Sequence, residues 1–116
     1  MARRLAVGAD HAGAALKSQL LAKIATQNKQ YDPAEKFYRL GIKLRRDRAA
    51  GLYDELARML IEARKFAEAV KVLDDAINEP SLKNNRAAFW FLASMRVGVR
   101  ARIRRLVHRR RPRPRS

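Results

Sequence analysis

Residues 52–80 read LYDELARMLIEARKFAEAVKVLDDAINEP, and the spacing of their apolar positions decides the fold. Leu52, Leu56, Met59, Leu60 and Ala63 recur at steps of three and four, which on an α-helix makes one continuous stripe. Arg64-Lys65 breaks that stripe. A second one follows through Phe66, Ala69, Val70, Leu73, Ala76 and Ile77, and Pro80 closes it. The stretch therefore predicts two amphipathic helices joined by a short turn, folded back on each other as an antiparallel pair.

Sliding the chain on itself by 35 residues finds the same pattern upstream, in residues 17–45, KSQLLAKIATQNKQYDPAEKFYRLGIKLR. Tyr31 falls on Phe66, Ala34 on Ala69, Lys36 on Lys71, Phe37 on Val72, Tyr38 on Leu73, Gly41 on Ala76 and Ile42 on Ile77. Leu21, Ala22, Lys23 and Ile24 fall on Leu56, Ala57, Arg58 and Met59. The small residues Ala22, Ala34, Gly41, Ala57, Ala69 and Ala76 suit close helix crossings, where a bulky side chain would push the axes apart. Tyr31, Phe66, Tyr38 and Leu73 are the matching large residues that fill the gaps. In the first unit, Leu16, Leu20, Leu21 and Ile24 form the apolar series of the leading helix, and Asp32-Pro33-Ala34-Glu35 reads as a start, with Asp32 as its N-cap. Asp47 is the expected cap of the next helix, and Asn84 or Asn85 of a further one covering Arg86 to about Met95.

This layout resembles the tetratricopeptide repeat family, whose period is about 34 residues. The likeness rests on Tyr53, Leu56, Ala57, Leu60, Phe66, Ala69, Leu73, Ala76 and Pro80, on Leu21, Ala22, Tyr31, Ala34, Tyr38 and Gly41, and on the start of a third unit at Phe89, Leu92 and Ala93. The second turn carries Arg64 rather than a glycine. The resemblance implies an all-α fold of tandem antiparallel helix pairs, a solenoid fragment over residues 14–95 with two units and the beginning of a third. It also implies a concave face built by the first helix of each pair that grips proteins or peptides. By position that face would carry Gln19, Lys23, Asp54, Arg58, Ile61, Trp90 and Ser94. Trp90 is expected either to be a binding hot spot or, the preferred reading, to cover core left open beyond the last helix, and the stretch from Phe89 to Leu92 to expose apolar surface that favours self-association.

The opening differs. Arg4-Leu5-Ala6-Val7-Gly8-Ala9-Asp10-His11-Ala12-Gly13 resembles the start of ribose-5-phosphate isomerase B and its galactose-6-phosphate isomerase relatives. The likeness implies a vestigial sugar-phosphate position at Asp10 and His11. Catalysis is not implied: the chain has no cysteine, no glycine-rich anion loop and no second strand to pair with the first. The expectation is an inactive relic in residues 1–13, a non-enzyme with no cofactor. Residues 3–8 would be extended and loose, giving a short extended amino terminus, or helical and continuous with the segment that starts at Ala12. No apolar run approaches the ~20 residues of a membrane span, and the chain reads as cytoplasmic.

Charge is placed unevenly. Residues 1–79 hold 15 Lys/Arg and 11 Asp/Glu, whereas residues 80–116 hold 12 Lys/Arg and no acid, so the later segment carries most of the net +16. Residues 96–116 read as a basic tail. Arg100, Arg102, Arg104, Arg105, Arg109, Arg110, Arg111, Arg113 and Arg115 are its candidate polyanion-binding residues, fit for nonspecific contact with nucleic acid or an anionic surface. Apolar positions at 97, 99, 103, 106 and 107 allow a basic helix to about His108, and Pro112 ends it.

Two function classes emerge: a repeat-type scaffold for a protein or peptide partner or its own copy, and a nucleic-acid binder acting through the arginines. The abrupt loss of the repeat pattern after Met95, in a segment without acids where Arg, Pro, Val and Gly take over, is also what a GC-rich frame shifted by one base would encode, which reads the chain as a composite or truncated product of a longer repeat protein.

Overall fold

A computed structural model describes the backbone of residues 2–110 and the side chains of residues 13–108. Five helices follow one another: α1 (Ala2–Gln27), α2 (Tyr31–Leu44), α3 (Ala49–Glu62), α4 (Phe66–Ile77) and α5 (Arg86–Arg110). Short 3-10 turns at Arg46–Arg48 and Pro80–Leu82 separate one pair from the next. Among the described residues there is no strand. The fold is all-α, with each helix packed on its neighbours in sequence.

The 35-residue offset reappears in the backbone. α1 and α3 end at Gln27 and Glu62, and α2 and α4 begin at Tyr31 and Phe66. Both connecting turns use one device. Gln30 N–H donates to the Ala25 carbonyl and Lys29 N–H to that of Thr26; 35 residues on, Lys65 N–H donates to Leu60 and Arg64 N–H to Ile61. These paired bonds satisfy the last carbonyls of each helix, and they force the residue after the cap into the left-handed region. Lys29 has φ 58° and Arg64 φ 62°. A side chain there costs about 1–2 kcal/mol that glycine does not. Arg64→Gly should therefore stabilise the chain by about 1 kcal/mol, raising the midpoint of thermal unfolding by roughly 4–8 °C in a circular-dichroism melt.

The core runs through the middle of the stack. Leu56, Leu60, Leu73, Leu92 and Val72 are its largest fully enclosed side chains. Ala22, Ala34, Ala57, Ala69 and Ala76 have no exposed surface, and Gly41 is buried where α2 crosses α3. A methyl group at Gly41 would stand 3.4 Å from Leu52 Cδ1, so the small residues lie at the close crossings. Ion pairs tie the units together, among them Lys65 Nζ to Asp32 at 2.9 Å and Arg46 to the buried carboxylate of Glu79 at 3.1 Å.

Several local expectations are corrected. Of the two expectations for residues 3–8 the helical one is found: the amino terminus is helical from Ala2 and continuous with the rest of α1, so the short extended segment is not. Asp32 does not cap α2; the helix begins one residue earlier, and the carboxylate accepts from Lys65 instead. Asp47 caps nothing either, because Arg45 takes it first, through Nε at 2.9 Å and Nη2 at 2.7 Å. Asn85 does cap α5, its Oδ1 accepting from Ala88 N–H at 3.1 Å. On α1, Leu16, Leu20 and Ile24 point outward while Ala15, Ser18, Ala22 and Ala25 turn inward, since α1 approaches α2 along its small side chains.

The Arg45 hydrogen bonds lower the Asp47 carboxyl from its ordinary 3.8 to about 2. With the folded value below the unfolded one, the contribution is present above the ordinary value and is lost as pH falls through about 2. The group is fully exposed, so the effect on stability is small. An NMR titration should find its midpoint near 2, and Arg45→Ala should return it to about 4.

Helix α5 runs without a break past residue 96. Val99 is buried against the core, and Ile103 packs beside it. The packed body thus extends through the first half of the arginine-rich segment.

Candidate binding face

The first helices of the successive pairs, α1, α3 and α5, are joined along one side of the stack by a chain of polar and aromatic contacts. Glu55 on α3 is its centre. It accepts a hydrogen bond from Gln19 Nε2 at 2.7 Å and pairs with Lys23 Nζ at 3.2 Å, both on α1. One turn along α3, Arg58 Nε donates to Asp54 at 2.8 Å, and its guanidinium lies 5.7 Å from the centre of the Phe91 ring on α5. A cation over an aromatic face at that distance is attracted by the ring quadrupole. Lys23 and Glu55 thus neutralise each other across the two helices, as Asp54 and Arg58 do along α3, while Lys23 and Arg58 stay half-exposed or more, which leaves them able to exchange partners with an incoming polar chain.

Beside Arg58 the face dips. Thr26, Tyr38, Glu55, Arg58, Met59, Ile61 and Glu62 line an open cavity of about 450 Å³. Tyr38 forms its inner wall; burial, then the nearby Glu55 charge, pushes its phenol above the usual range. The hollow offers an apolar floor from Met59 and Ile61 under a rim of both charge signs. That combination suits one apolar side chain flanked by polar groups.

Of the residues expected on the face, Gln19, Lys23, Asp54, Arg58 and Ile61 are brought together in this way. Trp90 is not. It is 66 % exposed and meets Phe89 edge-on with ring centres 6.1 Å apart. It lines a separate cleft with Ile77, Pro80 and Phe89 where α4 passes into α5. Ser94 is exposed on α5 with no side-chain partner among the described residues. Phe91, next to Trp90 and 100° round the helix, is the residue that reaches α3. Of the stretch from Phe89 to Leu92, the three aromatics are exposed, but Leu92 is buried to 1 %. Glu55 and Phe91 are the two members that sequence reasoning missed.

The arginines of α5 divide. Arg100, Arg102, Arg104 and Arg105 are exposed, and Arg102 lies over the Phe66 ring at 5.1 Å. The side chains of Arg109 and Arg110, and all of Arg111, Arg113 and Arg115, lie outside the described residues. Asp10 and His11 fall within the backbone of α1, in a helix where a strand would be needed for the isomerase-like arrangement; their side chains also lie outside the described residues. Among the described residues no three His, Asp or Glu side chains converge to hold a metal ion, and no helix is long and apolar enough to cross a membrane. Comparison with known proteins gives no match to a family model, a curated protein or a solved structure.

Proposed function

We propose that this chain is a helical-repeat interaction scaffold of the tetratricopeptide type, which holds a protein or peptide segment against the joined face of α1, α3 and α5. The observation that carries the reading is the inter-helix chain through Gln19, Lys23, Glu55, Arg58 and Phe91, with the Ile61 hollow open beside it. The duplicated turns and close crossings support the family assignment, because they recur at the same 35-residue step as the apolar pattern. The test is a displayed library of random 12-residue peptides, panned on the intact chain and re-measured on Ile61→Asp and Arg58→Glu. Selected peptides should lose at least tenfold in affinity on both variants. Peptides that bind both variants as well as the parent chain would place the interaction elsewhere and end this reading.

A second reading, nonspecific polyanion binding, is favoured by the exposed Arg100, Arg104 and Arg105 in a segment without a single acid. Each arginine that contacts duplex phosphate should contribute about 0.9 to the slope of log affinity against log salt. Arg104→Gln/Arg105→Gln should lower that slope accordingly for DNA of any sequence. Truncation at residue 95 is unsuitable as a test, since it removes Val99 from the core.

A further inference from the structure

Each helix from α3 onward packs on the one before it and is linked to the one before that. α3 packs on α2 and reaches α1 through Glu55; α4 packs on α3, and Lys65 just ahead of it pairs with Asp32 on α2; α5 packs on α4 and meets α3, with Leu92 and Val99 in the core. The next position in this series is the groove between α4 and α5, and it is open. Its cavity measures about 700 Å³, floored by Ala67 and Val70 from α4 and by Val97 and Ile103 from α5. Val97 is 61 % exposed, an unusual state for valine at the bottom of a helix–helix groove.

The rim is cationic. Lys71 stands on the α4 side and Arg100 and Arg104 on the α5 side, and among the described residues none of the three has a carboxylate within ion-pairing reach. Arg96, at one end, is paired with Asp74. From Arg96 to Arg104 the α5 wall rises about 12 Å, enough for two turns of a helix. We propose that this groove docks an amphipathic α-helix of a partner protein, apolar along one face and acidic along its flanks.

The charges select that occupant. Apolar anchors at helical spacing fit the floor between two parallel walls, and carboxylates on either side meet Lys71, Arg100 and Arg104. A second copy of this chain fits badly, because its exposed apolar stripe on α1, Leu16, Leu20 and Ile24, is accompanied by Lys17 and by no acid within residues 13–27 of that helix, so it offers the groove's arginines no carboxylate of its own. A nucleic acid would use the arginines and leave the apolar floor uncovered. The groove uses a different flank of α5 from Phe91, so it stands independently of the peptide-binding face proposed above.

The test is fluorescence anisotropy on the full chain at physiological salt, with a labelled 18-residue peptide that places leucines on one helical face and glutamates on the other. A scrambled peptide of identical composition is the control for charge alone. The amphipathic peptide should bind at least tenfold tighter than the scrambled one. Val97→Glu, and separately Arg100→Glu/Arg104→Glu, should each weaken it at least tenfold, whereas Arg58→Glu should change it less than twofold. Far-UV circular dichroism checks that the variants stay folded; Val97, Arg100 and Arg104 are all exposed. Equal binding of both peptides, or binding indifferent to Val97→Glu, overturns the proposal in favour of a polyanion surface. Absence of peptide binding with a dimer in sedimentation that Val97→Glu dissociates overturns it in favour of a second copy. Loss of peptide binding on Arg58→Glu alone moves the site to the α1–α3–α5 face and overturns it as well.

Discussion

Leu60→Ala is expected to lower the thermal midpoint by about 10–30 °C, or to leave the chain unfolded at room temperature. Leu60 has no exposed surface, and its carbonyl also closes the α3–α4 turn. Removing a buried isobutyl group loses its transfer free energy and leaves a cavity, together about 2–5 kcal/mol, in a small helical stack whose whole stability is of order 5–15 kcal/mol. Leu16→Ser is the control. The apolar spacing of the sequence places Leu16 in the same kind of stripe, yet it is 58 % exposed and its loss should cost under about 0.5 kcal/mol. A circular-dichroism melt of the two variants side by side checks both the size of the effect and the orientation of α1.

The second large effect lies in the arginine-rich segment. Val99 and Val97 are two residues apart on one helix, but Val99 is 5 % exposed and Val97 61 %. Val99→Glu places a carboxylate against Val99's core neighbours, at an expected cost of about 3 kcal/mol or more. Val97→Glu leaves its charge in water beside Arg96 and Arg100, and should stay within about 0.5 kcal/mol of the parent chain. If residues 96–108 were only a solvated tail, the two substitutions would be equivalent. Chemical denaturation of both variants, compared at constant slope, separates these cases.

How much of this fold is legible from residues alone depends on the range of the interactions involved. The 35-residue step is visible because small residues match small and large match large, and the close crossings at Ala22, Ala57, Ala34, Ala69 and Gly41 reflect it. The caps are legible only where no competitor stands nearby. Asn85, a neutral amide that no neighbouring cation pairs with, caps as expected, while the charged Asp47 is taken by Arg45 two residues away. Asp32 is taken by Lys65 from the other unit, a partner that local reading has no means of weighing against a cap. On α1 the leucines give the louder signal but the alanines face inward, because the distance to α2 decides which stripe is buried.

For the proposed binding face, the residues expected on α1 and α3 lie together along one side of the stack, whereas on α5 it is Phe91, one residue beyond Trp90, that meets α3. A single step turns a helix by 100°, so placing Trp90 on the face instead of Phe91 aims at a different cleft. Glu55 is overlooked beside Asp54 for the same reason, although an acid that meets both Gln19 and Lys23 needs only the α1–α3 adjacency to be found. The groove between α4 and α5 has a partial trace in the apolar positions 97, 99 and 103. Sorting those into core and groove requires the position of α4.

Both proposed surfaces are built on α5, the face at Phe91 and the groove as far as Ile103, so the account as a whole requires α5 to be a packed helix through Ile103. Residue-resolved amide hydrogen exchange on the intact chain tests this most directly. A packed α5 predicts protection at Val99 and Ile103 within about tenfold of that at Leu92, falling away only toward His108. Near-unprotected exchange from residue 96 onward, with Leu92 still protected, would contradict it.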